Sequence, residues 1–268
     1  MEERVKKIAS GRCGDWENLV RGTIDSNEYA FECVDFSDFD LCLTDYAVPI
    51  NLWDSVALHN RYGDQNKKYL IPAMHVMELC ADKKVFNETI LASDFAAVIP
   101  PIHRTEMRVF PYFLKKRNEL SGREIFAIRN LADERPHVAR LNSDEYFCQT
   151  YVPGRIEYTT HMLITDGTVV YHSSNVYEMP EEFSVKGNDL APVREKNDVH
   201  VGAGVIDTLA GLLRAIGFNG TCCVDYKIVD GRIRLLEVNP RCGFTLFRDI
   251  NRYLRAYMDV LQAEYTPG

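Results

Sequence analysis

No CxxC spacing, no run of 18 apolar residues and no excess of positive charge occurs in this sequence, and each absence removes a class of function. The eight cysteines, Cys13, Cys33, Cys42, Cys80, Cys148, Cys222, Cys223 and Cys242, are scattered, so neither a zinc ribbon nor a redox pair is signalled. Most lie inside apolar runs, which predicts reduced core thiols. The missing apolar run removes a membrane helix, and "MEERVKKIASGRCGDW" turns polar too soon for a secretory leader. A soluble, cytoplasmic protein is the expectation. With 31 basic against 39 acidic residues the formal charge is -8, which opposes nucleic acid or a membrane surface as partner, because both require a basic face. A small anion held by a few lysines stays compatible with that charge. No segment repeats at a fixed period, and 16 glycines and 11 prolines exclude collagen-like or low-complexity material.

What is present reads as a packed enzyme: 268 residues, 46% of them hydrophobic, suffice for one large domain or for two or three lobes sharing a core. Short strands and helices alternate at the start, with "RVKKIAS", "YAFECVDF" and "FDLCLTDYAVPI" as strands and "LWDSVALHNRYG" as a helix ending at Gly63, a pattern that favours a small parallel sheet. A helix through Lys83 to Leu91 precedes the pair Pro100-Pro101, which reads as a linker. The runs Phe110 to Leu114 and Ile125 to Ile128 flank a charged turn and predict a hairpin. Antiparallel strands follow, broken at Pro153-Gly154 and turned at Asp166-Gly167. From Val201 to Ile216 the apolar spacing is helical and stops at Gly217; two strands and a final helix near Phe247 to Ala263 complete the chain.

The stretch "RIRLLEVNPRCG" places a carboxylate and an amide in an otherwise apolar strand. Side chains at i and i+2 share a face, so Glu237 and Asn239 converge on one spot. Asp225, on the preceding strand, joins them or not according to the turn. A strict two-residue Asp230-Gly231 turn puts it on the opposite face, whereas a three-residue Val229-Asp230-Gly231 loop shifts the register by one and unites all three. Two carboxylates and an amide suit a hard cation such as Mg²⁺; the competing reading is that Glu237 pairs with a nearby arginine. Lys83 and Lys115 add the positive charge that a polyphosphate requires. His161 and His172 read as core or surface histidines, and no spacing signals nucleophilic catalysis.

In that chain order, "ADKKVFNETIL", "FPYFLKKRNELSGREI", "CQTYVPGRIEYTTHML" and "GFNGTCCVDYKIVDGRIRLLEVNPR" resemble the ATP-grasp superfamily of carboxylate-amine and carboxylate-thiol ligases over roughly Leu70 to Gly243. The resemblance implies an α+β fold of two lobes gripping the nucleotide behind a short, truncated Rossmann-like α/β lobe, with divisions at 1-75, 76-146 and 147-268. Carried over residue by residue, it implies that Lys83 and Lys115 contact ATP, and that Gln149, Tyr151 and Val152 form the hinge that reads the adenine. It further implies that Glu157 holds the ribose, that Asp225, Glu237 and Asn239 ligate magnesium, and that Arg241 lies beside the γ-phosphate. Two Mg²⁺ ions are expected, with Mn²⁺ able to substitute.

The sequence departs from the family pattern at four points. Ser121 and Gly122 are the only small residues of the phosphate loop, Gln149 replaces a frequent glutamate, and the amino-terminal lobe is short. Cys223 stands where some relatives have arginine, which leaves Arg155, Arg194 and Arg241 as candidates for the missing catalytic charge. The implied reaction is ATP- and Mg²⁺-dependent activation of a small-molecule carboxylate as an acyl-phosphate and its transfer to an amine, with a closing Phe110 to Ile128 hairpin excluding water. A small-molecule kinase and a non-catalytic nucleotide-binding module are the alternatives. Relatives of this kind also suggest a homodimer.

Overall fold

Parallel pairing organises the first third of the molecule. The computed structural model describes residues 4–12, 14–118, 124–186 and 191–263. Strand β1 (Lys6–Gly11) pairs in parallel with β2 (Tyr29–Val34) on one side and β3 (Tyr46–Val48) on the other, with helix α1 (Asp15–Thr23) crossing between β1 and β2. This is the small parallel sheet the alternation predicts. The expected strand "FDLCLTDYAVPI" is instead split: Asp40 accepts the amide of Cys42 and folds Leu41–Leu43 into a 3-10 turn, so only Tyr46–Val48 reaches the sheet. Helix α2 (Leu52–Tyr62) starts on a reciprocal cap, with the Asn51 side chain accepting the Asp54 amide at 2.9 Å and the Asp54 side chain accepting the Asn51 amide at 3.2 Å. A short ladder, β4 (Gln65–Asn66) with β5 (Tyr69–Leu70), leads out of this unit.

Helices α3 (Met74–Ala81) and α4 (Lys83–Leu91) follow. Next comes a four-stranded antiparallel sheet built from β6 (Ile102–His103), β7 (Tyr112–Lys116), β8 (Ile125–Ile128) and, after the single-turn helices α5 (Leu131–Glu134) and α6 (Val138–Leu141), β9 (Tyr146–Thr150). Its strand order is β6-β9-β7-β8, and Tyr112, Leu114, Ile128, Leu141 and Cys148 form its own core on one face. Phe113 and Lys115 alternate with Tyr112 and Leu114, so they point to the other face.

The largest sheet is antiparallel and five-stranded. It comprises β10 (Ile156–Thr165), β11 (Thr168–Glu178), β12 (Arg194–Lys196) and, beyond helix α7 (Ala203–Ala215), β13 (Gly220–Val229) and β14 (Arg232–Asn239), in the order β12-β11-β10-β13-β14. One face is sealed, with Met162, Val224, Tyr226, Leu235 and Val238 packing on Leu209, Leu212 and Leu213 of α7 and on Phe86 and Ile90 of α4. The other face is covered only in part. There Leu163 and Tyr171 pack under helix α8 (Ile250–Ala263), through Tyr253, Leu254 and Tyr257, which also joins Ile8, Val20 and Val48 of the first unit to the same core. Among the described residues no helix is long and apolar enough to cross a membrane.

The β13–β14 hairpin resolves the register question in a way the sequence did not offer. Val229 pairs with Arg232 across a two-residue turn in which Asp230 (φ 50°) and Gly231 (φ 70°) are both left-handed. That turn alone would put Asp225 opposite Leu236. A β-bulge at Leu236 adds one residue to β14, however, and beyond it Asp225 stands opposite Glu237 and Cys223 opposite Asn239. The three-residue loop is therefore not needed.

Candidate functional site

Three cross-strand rows make the floor of a cleft between the five-stranded and four-stranded sheets. Register places Glu157 beside Lys227 in the first row, Thr159, Asp225 and Glu237 in the second, and His161, Cys223 and Asn239 in the third. All eight point the same way, because alternate residues of a strand share a face. Lys83, Phe113 and Lys115 close over them from α4 and β7, and Trp16 and Arg241 border the same cleft, whose volume is about 390 Å³. This is within the range of small-molecule sites.

Local structure explains the placing of each lysine. Asp82 caps α4 through the amides of Lys84 and Val85 and binds Arg117 at 2.5 Å, while the Lys83 amide donates to the Arg117 carbonyl at 3.0 Å. Helix α4 is thereby tied to the end of β7, and Lys83 extends to Glu237 at 3.1 Å. Lys115 is only 5% exposed, from the fourth position of β7. Burial, helped by the nearby charges of Lys83 and Lys227 and opposed by Glu237 and Glu157, lowers its pKa to about 8. Lys227 is also buried; it donates to the carbonyls of Val152 at 3.1 Å and Gly154 at 2.5 Å, and burial lowers its pKa too.

Lys186 was not legible in the sequence. It enters from the segment after β11 and bridges Asp225 (2.7 Å) and Glu157 (3.0 Å), while also donating to Thr159 at 2.7 Å. Burial works against its charge, but the two carboxylates outweigh that and hold its pKa well above the ordinary value. Asp225 is affected reciprocally: burial would raise its pKa, yet the Lys186 charge and the hydrogen bonds from Lys186 and Thr159 leave it lowered. Asn239 closes the group with a 3.4 Å contact from its amide nitrogen to Asp225. Arg241 donates to the Cys242 carbonyl at 2.8 Å and makes no ion pair among the described residues.

His161 also borders the cleft. Its Nε2 meets the Thr245 hydroxyl at 2.8 Å, burial lowers its pKa to about 3, and its Nδ1 has no partner among the described residues. Gly243 is fixed by this ring, because a Cβ there would lie 2.6 Å from His161 Cε1. His161 is thus a neutral, buried member of the site and not a surface histidine.

The structure brings Lys83, Lys115, Glu157, Asp225, Glu237, Asn239 and Arg241 together. Lysines, and not the arginine of the competing reading, pair with the carboxylates. Of the other sequence candidates, Tyr151 and Val152 border the cleft through Lys227, and Arg155, Arg194 and Gln149 are not among its lining residues. Arg155 and Arg194 both pair with Glu178, at 3.3 and 3.8 Å, on the far side of β11 from the cleft floor. The Gln149 amide is buried against Asn87 and the Pro100 carbonyl, at 3.2 and 3.0 Å. Tyr151 donates to Glu182 and packs at a tilt on Phe183, and the Val152 carbonyl accepts from Lys227. Ser121 and Gly122 lie outside the described residues.

No family model matches the sequence, and no curated protein matches it. Solved structures do match in fold. The D-alanine–D-alanine ligase of Bacillus anthracis superposes with a TM-score of 0.62 at 14% identity, over 97% of this chain and all of that one. N5-carboxyaminoimidazole synthetase from Staphylococcus aureus, complexed with ADP, gives 0.61 at 14% identity, over 90% of this chain and 72% of that one. Phosphoribosylglycinamide synthetase from Anaerococcus prevotii gives 0.56 at 13% identity, over 90% and 69%. With sheets that clasp a cleft of lysines and carboxylates, and with likeness running through nearly the whole chain, the protein has the ATP-grasp fold.

Proposed function

We propose that the protein is an ATP-dependent, ADP-forming ligase that joins a small-molecule carboxylate to an amine. The observation that carries this reading is the second floor row, Thr159, Asp225 and Glu237, overhung by Lys83, Lys115 and Lys186. Basic side chains outnumber carboxylates around the cleft, so a triphosphate enters a positive site within an acidic protein. The matching structures are ligases and synthetases, one of them holding ADP, which supports the same assignment.

The donor set fits a magnesium ion. Asp225 and Glu237 offer carboxylate oxygens and Asn239 an amide oxygen, a hard-donor set of two carboxylates and one amide; no group of three or more His, Cys, Asp and Glu that could hold a metal ion occurs among the described residues. When bound, Mg²⁺ would supply positive charge that neutralises the phosphates of the nucleotide. Asp225 and Glu237 would hold it, and Asn239 would complete the protein's share.

Catalysis then follows from the chain's own charges. Lys83 and Lys115 bind phosphate oxygens in a buried site, where each charge counts for more than in water. Glu157 accepts from the ribose hydroxyls, and the 150–155 segment, tied down by Lys227, flanks the adenine. Arg241, which makes no ion pair among the described residues, stabilises the phosphate as it passes to the substrate carboxylate. The four-stranded sheet, with its separate core, serves as the closing lobe that keeps water from the acyl-phosphate. We divide the chain into lobes at 1-75, 76-146 and 147-268 on that basis, although α4 packs on the large sheet. Two metal ions, a homodimer and a cytoplasmic setting remain part of this proposal.

The test is ADP release against small carboxylates and amines, singly and in pairs. A ligase releases ADP only with both present; a kinase needs one acceptor. Glu237→Ala and Asn239→Ala should abolish magnesium-dependent release while the far-ultraviolet spectrum is kept. Turnover unchanged in either would refute the assignment.

A further inference from the structure

The cleft has an apolar patch at each end of the floor. At the Glu157–Lys227 row stands Phe113, whose ring centroid is 5.4 Å from that of Tyr151, which itself lies under the Lys227 ammonium at 5.8 Å. At the His161–Cys223 row stand Trp16 and Phe244, with ring centroids 5.8 Å apart, held there because Thr245 bonds His161 and receives the Asn175 amide at 3.0 Å. Phe244 is 39% exposed although it faces a cleft, and Trp16 is half-buried from the first turn of α1. Such a partly exposed aromatic wall inside a concave site marks a ligand contact.

Charge at this end is already satisfied. Glu195, the carboxylate that borders it, is bound by Arg248 at 2.6 Å, and the Arg248 guanidinium lies over the Phe244 ring at 5.9 Å. His161 contributes a neutral ring. Arg241, at the junction with the metal-ligand row, is the nearby cation without an ion pair among the described residues. A ligand here meets one positive group followed by an aromatic wall.

We propose that the carboxylate substrate carries an aromatic or large apolar side group, docked against Trp16 and Phe244 with its carboxylate at Arg241. This rests on the ligase reading and goes further by naming the substrate class. Small or acidic carboxylates would leave the wall wet or bury a charge without a partner.

The chain holds two tryptophans, and Trp53 is 73% exposed on α2, so Trp53→Phe leaves Trp16 as the sole indole reporter. Its emission is titrated with phenylacetate and phenylalanine, and with alanine and aspartate as controls, in the presence of Mg²⁺ and ADP. Saturable change with the aromatic acids at concentrations about 10- to 100-fold below the controls is expected, the worth of burying one large apolar group. Phe244→Leu should raise the half-saturating concentration, with an ADP-induced rise in melting temperature as proof of a folded variant. Emission that ignores the aromatic acids, or follows the controls as readily, overturns the proposal. If aromatic acids shift the emission but no amine yields ADP, the subsite stands and the ligase reading falls. ADP release with alanine or aspartate alone among the acids leaves the ligase reading standing and removes the aromatic subsite.

Discussion

Replacing Lys115 by methionine should make the protein more stable and less able to bind ATP. The side chain is 5% exposed, and burial is the main cause that brings its pKa from the ordinary 10.5 to about 8. That displacement corresponds to about 3 kcal/mol of preference for the neutral form. Below pH 8 the lysine is charged in both folded and unfolded chains, so the folded state carries the whole penalty. Between pH 8 and 10.5 the unfolded chain binds more protons than the folded one, and stability rises with pH through that window. Methionine removes the charge and keeps most of the stem's packing. At pH 7 the variant should gain up to about 3 kcal/mol, or roughly 5 °C or more in melting temperature for a chain of this size, and its stability should no longer climb above pH 8. Calorimetric melting from pH 7 to 10 with and without ATP is the assay. A variant that melts lower at pH 7, or that keeps the wild-type rise above pH 8, refutes the reasoning; so does undiminished ATP binding, since the proposed function gives the buried charge to the phosphates.

Lys186→Met should do the reverse, because it leaves Asp225 and Glu157 as buried carboxylates without their shared cation; a loss of about 3–5 kcal/mol is expected, and Mg²⁺ should restore more stability to the variant than to the parent, read as melting shifts. For Asp225 the lowered pKa gives stability that is present above 3.8 and lost as pH falls below it; Asp225→Asn should flatten that acid limb in denaturant titrations. His161 stays neutral when folded, with a pKa of about 3, so the unfolded chain alone takes up its proton and stability drops as pH falls below 6.5; His161→Gln should remove that slope between pH 6.5 and 4.

Glycine and hydrophobic period made most of the frame legible. Helices ending at Gly63 and Gly217 and turns at Asp166-Gly167 and Asp230-Gly231 are local events, decided by left-handed backbone that few other residues adopt. Alternation within each strand put Glu237 and Asn239 on one face of β14 and gave Glu157 and Asp225 each a face of its own strand, but it did not by itself bring Asp225 to Glu237. The bulge at Leu236 has no such signature, for nothing in "RLLEV" distinguishes an extra residue from a regular pair. The stretch "FDLCL" looked like a strand by composition, and one aspartate cap overrode it. Lys186 was missed because a lysine in a polar stretch usually faces water, and Lys227 because its place in the apolar strand β13 gives its face but not its partners; only the approach of distant chain segments reveals the carboxylates and carbonyls they serve. Arg155 and Arg194 are not among the residues lining the cleft for the mirror reason, since Glu178 pairs with both.

The central claim is that Asp225 and Glu237 join a magnesium-bound triphosphate to the lysines above them. Isothermal titration of the protein with ATP, with Mg²⁺ and with EDTA, tests it most directly when run beside Glu237→Gln. Magnesium-dependent binding in the parent, lost or no longer magnesium-dependent in the variant, is the result the account predicts. ATP that fails to bind, or binds parent and variant alike without regard to magnesium, contradicts it.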